Sequence, residues 1–382
     1  MQRALISAIL ATVVAVNMTS IQAVRVEASV ATAPTHVTQL ASGAQVNVYL
    51  TRARFHGYVL FLRRGHIILS KGYGMADAKH RVPITAQTRW PMFGIEDFIV
   101  AIAILKLQGE GKLQLQDRLC AHMAGCPKAW SFITLRGMLG GTSPIGQYDP
   151  FASSGSINQT IGQCEAAPLL SAPPGVSEES ACNRVLLSRV VERVSRQPFA
   201  SFMQQTIFYP VGMTRTTIAM SSPPQSAHGY KNGSLATPLR YGGYPLIYST
   251  PGDIERLDRA VFAGKIISKA SVRALITPYR YDGDPSVSVY NGYGCQVLKA
   301  NQFFFHDASG SDASGSAASS TLKTNRAVFE AAGTDWSGFL TDSWFSPDDG
   351  TVAIWLNNDT GFFDNNADNR FLDRTAKLLW GK

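Results

Sequence analysis

The sequence predicts a mixed α/β (α+β) fold, with an antiparallel sheet drawn from both ends of the chain, flanking helices, and a helical insertion between the two halves. Three observations carry this. Two β-rich apolar runs, Gly57–Leu62 and His66–Ser70, lie close together early in the chain. The middle, from about Leu119 to Met220, is helical and loop-rich. Two more β-rich runs, Gly338–Phe345 and Thr351–Leu356, return near the end. The sheet part then takes about residues 44–118 and 235–382, and the helical insertion about 119–234.

Residues 1–28 read as a secretory signal peptide: Arg3 precedes the apolar run Ala4–Val16, and Ala23, Ala28 and Ala31 offer cleavage points. The run is shorter than the roughly 20 residues that span a bilayer, so no transmembrane anchor is expected. A Thr/Ala/Pro-rich spacer over 29–43 leads into the domain, 44–382. Arg63-Arg64-Gly65 joins the first two strands as a hairpin turn. Phe98–Leu107 is apolar almost all round, as in a helix buried between layers, and Gly109 and Gly111 stop it. Asn183–Gln205 reads as one helix, with Val185, Leu186, Val190, Val191 and Val194 on one face and arginines on the other. Ser249-Thr-Pro-Gly-Asp253 starts another helix, Ser346–Gly350 turns between the late strands, and Asn369–Trp380 is a final helix. The Ser/Ala/Gly tract Asp307–Ser320 reads as a solvated excursion.

Composition narrows the function classes. The net charge of +8 comes from scattered arginines, Arg184 among them, and reads as a solvated surface. No basic stripe with interleaved aromatics suggests a nucleic-acid footprint. No Cys-x-x-Cys or His-Glu-x-x-His supports a metal site, and no cofactor is implied. Of five cysteines, Cys120 with Cys126 and Cys164 with Cys182 can each close a local disulfide, leaving Cys295. Sequence alone leaves the connectivity open; export favours at least one disulfide over five buried thiols.

Several strings, in order, resemble the serine β-lactamase, penicillin-binding protein and esterase superfamily, closest to its class C-like branch. They are Lys71-Gly-Tyr-Gly-Met-Ala-Asp77, the helix running to Ile104-Leu-Lys-Leu107, Gly109–Asp117, Ile133-Thr-Leu-Arg-Gly-Met-Leu-Gly-Gly-Thr-Ser143, Ile207-Phe-Tyr-Pro-Val-Gly-Met213 and Leu246-Ile-Tyr-Ser-Thr250. The resemblance implies the β-lactamase/transpeptidase-like fold. It also implies three catalytic clusters, and none is intact here. Ser-x-x-Lys reads Gly94-Ile-Glu-Asp97, Tyr-x-Asn reads Glu179-Ser-Ala181, and His/Lys-x-Gly reads Gly333-Thr334-Asp335.

Acyl transfer of this kind needs a nucleophile, a base in reach and oxyanion donors, and loss of the nucleophile typically costs about a millionfold in turnover. No catalytic residue is therefore assigned. Ser320-Thr-Leu-Lys323 matches Ser-x-x-Lys only as a string, outside any buried helix start, and Ser143 and Ser180 have no activating base. The leading expectation is a secreted or cell-envelope pseudoenzyme. Its altered pocket at Gly94, Asp97, Glu179, Ala181, Gly333 and Thr334 would hold a cell-wall peptide or other small ligand. One alternative is a hydrolase using Asp97 and Glu179 as an acid/base pair; another is a cell-surface interaction module. Glu96 and Asp97 also suit the first turn of a helix, where acids complement the dipole.

Overall fold

The computed structural model describes residues 35–148, 155–170, 180–236, 245–278, 280–281, 289–298, 328–335 and 338–360. The signal segment, the 307–320 tract, Ser320, Lys323 and the helix expected at 369–380 lie outside these residues.

Helix α1 (Thr35–Arg52) begins inside the stretch read as a spacer. Val46 and Leu50, one turn apart, are buried where this helix packs on the sheet edge. The first hairpin forms as expected from β1 (Gly57–Arg63) and β2 (His66–Tyr73), with Arg64 and Gly65 both at positive φ in the turn. Short strands β3 (Met75–Asp77), β4 (Val82–Pro83) and β5 (Trp90–Pro91) lead into α2 (Ile95–Gly109).

The insertion holds α3 (Leu135–Leu139), α4 (Ile157–Ala166), α5 (Ala181–Ser195) and α6 (Phe199–Met203). The single helix expected over 183–205 is broken. Arg196 takes the left-handed conformation at φ 59°, and Pro198, which disfavours helix in the residue before it, caps α6. Next come β6 (Thr217–Ala219), β7 (Tyr230–Lys231), β8 (Ser234–Leu235) and β9 (Leu246–Ser249). Helix α7 (Pro251–Phe262) starts where predicted: the Thr250 side chain accepts from Asp253 N–H and Pro251 sits at the first position. Then follow α8 (Lys269–Ile276), β10 (Arg280–Tyr281), β11 (Val289–Asn291), β12 (Gln296–Leu298), β13 (Val328–Asp335), β14 (Phe339–Ser346) and β15 (Thr351–Asn357).

The main sheet has the antiparallel order β10-β11-β12-β13-β14-β15-β1-β2, so the late strands pair with the early hairpin through β15 and β1. A second sheet, β5-β9-β6, sits beside the start of α2. Helix α2 is the centre of the core: it packs on β13 and β14, on α5 and on α8, and every residue from Phe98 to Leu105 is buried. That is why its sequence is apolar all round rather than on one stripe. Both expected disulfides are present, Cys120–Cys126 and Cys164–Cys182, the second joining α4 to α5; Cys295 is a buried free thiol.

Asp258 of α7 is buried and accepts a 2.6 Å hydrogen bond from Ser343 Oγ of β14. Burial pushes its carboxyl up to about 7. The folded state thus holds this proton more tightly than the unfolded chain does, so the associated stability is complete below about pH 4 and is lost as the pH rises through 7. Asp258→Asn should stabilise the protein by about 1–3 kcal/mol at pH 8 and scarcely at pH 4, read by thermal denaturation; equal effects at the two pH values would contradict the assignment.

Candidate functional site

The site is built on the first turn of α2. Gly94 is the N-cap residue in a helical conformation (φ −61°, ψ −28°) and supplies no side-chain cap. Phe93 before it is held at φ 36°, a conformation that costs an L-residue on the order of 1–3 kcal/mol and persists only when its surroundings enforce it. The surroundings do so. Met92 N–H bonds Ile247 O at 2.9 Å, Thr341 Oγ1 donates to Met92 O at 3.2 Å, and the Phe93 ring lies 5.9 Å from that of Phe339. The start of α2 is therefore pinned to β9 by a backbone bond and to β14 by the Thr341 and Phe339 side chains, none of which involves a side chain at position 94.

Helix α5 is fixed from its own end. Ser180 Oγ donates to Gly146 O at 3.0 Å, Ala181 N–H to Gln147 Oε1 at 2.9 Å, and Cys182 is tied to α4. One turn on, Arg184 reaches α2. Its Nε and Nη2 donate to the two Asp97 oxygens, each at 2.9 Å, and Nη1 donates to Glu96 Oε2 at 3.4 Å. The side chains of Arg184, Asp97 and Glu96 are 12%, 28% and 0% exposed. Arg184 is thus not part of the solvated arginine face that its spacing suggested. Four residues before Ser188 on α5, it is an interior ion-pair residue.

Glu96 Oε1 also accepts Ile247 N–H at 2.5 Å, which ties α2 to β9 a second time. Burial raises its carboxyl to about 7, against the opposing pull of Arg184 and the Ile247 N–H, while the Asp97 charge adds to the rise. Tyr148, buried near the same cluster, is pushed up to about 12, first by its own burial. These groups are engaged with one another. A fully buried Glu96 cannot reach a substrate, and Asp97 is held by both oxygens of a fork-on-fork pair.

The sequence-derived positions fall as follows. Gly94 and Asp97 share the first turn of α2, Ala181 opens α5 alongside, and Gly333 and Thr334 lie on β13, paired with Thr341 and Leu340 of the strand next to it. Glu179 lies outside the described residues. Two cavities flank this turn. One, of about 60 Å³, opens on the α5 side between Asp97, Asn183, Gly140 and Gly294. The other, of about 200 Å³, lies on the β9 side among Phe93, Phe339, Tyr248, Leu246, Ser222 and His228. Among the described residues no group of three or more His, Cys, Asp or Glu side chains could hold a metal ion, and no helix is long and apolar enough to cross a membrane.

The family model described as Beta-lactamase matches residues 41–377. The chain belongs to the beta-lactamase family. A protein of Bacillus subtilis (strain 168), provisionally named as the penicillin-binding protein PbpX, is 28% identical over 243 residues, which cover 61% of this chain and 62% of that relative, so the chain spans less than two thirds of the relative's length. The fold matches a penicillin-binding protein from Bacillus halodurans (TM-score 0.69, 20% identity, 86% of this chain and 98% of the other). It also matches a D-amino acid amidase from Ochrobactrum anthropi SV3 (TM-score 0.71, 17% identity, 90% and 98%). The β-lactamase/transpeptidase-like fold expected from the sequence is thereby shown.

Sequence reasoning placed Asp97 but missed its partner. The signal was available: Arg184 stands on the valine-rich face of α5, within the buried run Cys182–Val191. Arg184→Met should destabilise the protein at pH 8 by about 2–3 kcal/mol, below the roughly 3–5 of a fully buried pair because Asp97 keeps some water. The loss should shrink at pH 5, where Glu96 is protonated. Urea denaturation at both pH values checks this, and a pH-independent loss would contradict it.

Proposed function

We propose that this beta-lactamase family member has lost acyl-serine chemistry and holds a cell-wall peptide or other small ligand non-covalently in the clefts beside α2. One observation carries the reading: at the helix start where the family resemblance implies Ser-x-x-Lys, the chain places Gly94 and an Asp97 closed in a bidentate pair with Arg184. Glycine offers no nucleophile. Both Asp97 oxygens already accept from Arg184, so this carboxylate is held by a partner on α5 rather than presented to a substrate. The retained strain at Phe93 and the two cavities support a binding role on the same frame. The penicillin-binding names of relatives make a cell-wall peptide the first ligand class to try.

Export belongs to the same proposal, supported by Arg3 with the apolar run Ala4–Val16 and by two disulfides. The hydrolase reading with Asp97 and Glu179 as acid and base has less support, because Asp97 is already engaged.

The test is incubation of the folded mature protein with a fluorescent penicillin followed by intact-mass measurement. The expected result is no covalent adduct, and a turnover of chromogenic cephalosporin no higher than that of heat-killed protein. A stoichiometric adduct would overturn the proposal, and its mapped position would name the nucleophile.

A further inference from the structure

The larger cavity, on the β9 side of the α2 start, has aromatic walls. Phe93, Tyr248 and Phe339 line it together with Pro91, Leu246 and Leu235. Protein interiors are close-packed, with few voids larger than a water molecule, so an apolar cavity of about 200 Å³ is out of the ordinary. Pinned walls hold it open. Pro91 pairs with Tyr248 across β5 and β9, and Met92 N–H bonds Ile247 O at 2.9 Å. Ala227 and His228, also in the lining, are fixed by their own N–H groups, which bond Arg89 O at 2.9 Å and Ala76 O at 2.8 Å. Gly338, at φ +91°, lies so near Tyr230 that a Cβ there would stand 2.4 Å from the Tyr230 backbone nitrogen, which seats the adjoining Phe339 against the same segment.

The cavity is shaped for an occupant. Phe93 stands at φ 36°, a strained conformation for an L-residue, and its ring, 5.9 Å from that of Phe339, forms a wall of the cavity instead of filling it. Leu235 lines the cavity and is still 67% exposed, which leaves an apolar side chain at the mouth for a ligand to cover. An apolar cavity of about 150 Å³ takes a benzene molecule, so this one has room for a six-membered ring with a short substituent. Three aromatic walls favour an aromatic ring over a saturated one, because offset and edge-to-face contacts add to simple burial. The polar lining residues Ser222 and His228 are exposed, so the substituent leaves on their side.

We infer that this cavity binds the single aromatic ring of a small-molecule ligand, seated among Phe93, Tyr248 and Phe339 with its substituent directed past Ser222 and His228. The inference rests on the non-covalent reading above and gives that reading a ligand class.

The test is an NMR titration of the isotope-labelled mature protein with benzyl alcohol, followed at the amides of Phe93, Tyr248 and Phe339. Cyclohexylmethanol, with the same substituent on a saturated ring, and methanol, with no ring, are the controls. Saturable shifts with benzyl alcohol are expected, with about three- to tenfold weaker binding of cyclohexylmethanol and no saturation by methanol. Ala236, half-buried in the lining, offers a way to block the cavity: Ala236→Trp should weaken benzyl alcohol binding about tenfold or more. Leu235→Lys, at an exposed position that leaves the fold intact, should weaken it about threefold by removing apolar cover at the mouth. Absence of saturable shifts, equal or tighter binding of cyclohexylmethanol, or unchanged affinity in Ala236→Trp would overturn the site; should the tryptophan variant fold poorly, unchanged affinity in Leu235→Lys would do so. The penicillin experiment reads a separate quantity. A covalent adduct with intact benzyl alcohol binding would remove the non-acylating reading alone, and no adduct with no benzyl alcohol shifts would remove the ring site alone.

Discussion

Arg184 is the residue on which the altered site depends. Two carboxylates one position apart on α2 face the interior of the protein, one fully buried and the other largely so, and only a cation already held in place can make that tolerable. The guanidinium suits the task because its planar fork takes both Asp97 oxygens at once and leaves a third nitrogen for Glu96. It arrives without much conformational freedom, since α5 is anchored at Ser180, Ala181 and Cys182 before Arg184 is reached. The resemblance implies a serine and a lysine at this helix start. Here the cation comes from the neighbouring helix and the carboxylate from α2.

The shape of the scaffold and the make-up of the site are carried by different atoms. The start of α2 is located by Met92, Phe93 and Ile247 backbone groups and by the buried Glu96 side chain, none of which needs a particular residue at position 94. The main sheet is held by pairing between the early hairpin and the late strands. The family resemblance places chemistry instead on a few side chains at helix and strand ends, and the proposed loss of acyl-serine chemistry rests on those positions. Site and scaffold therefore separate cleanly along the chain.

Much of the fold was legible in the sequence. The early hairpin, the buried helix ending at Leu107, the capped start of α7 and the β14–β15 hairpin all follow from periodicity and turn chemistry. What was not legible depends on tertiary context. A Thr/Ala/Pro-rich stretch gave no sign of the α1 start because Val46 and Leu50 gain their helical role only by packing on the sheet. The break at Arg196 was hidden because continuous valine spacing outweighed Pro198 in the reading. Within the site, Gly94 and Asp97 could be found by counting, but the pairing of Asp97 with a residue 87 positions later could not, because neither helix announces which neighbour it meets. Arginine is most often a surface residue, and only its place among buried valines argued otherwise.

The most direct measurement of this account is a double-mutant cycle on Asp97→Ala and Arg184→Ala, with folding free energies determined by denaturant titration at pH 8. A closed bidentate pair in a largely water-excluded position predicts a coupling energy of at least about 1 kcal/mol. A coupling within about 0.3 kcal/mol of zero would mean that the two side chains do not pair in solution, and that Asp97 is free for chemistry after all.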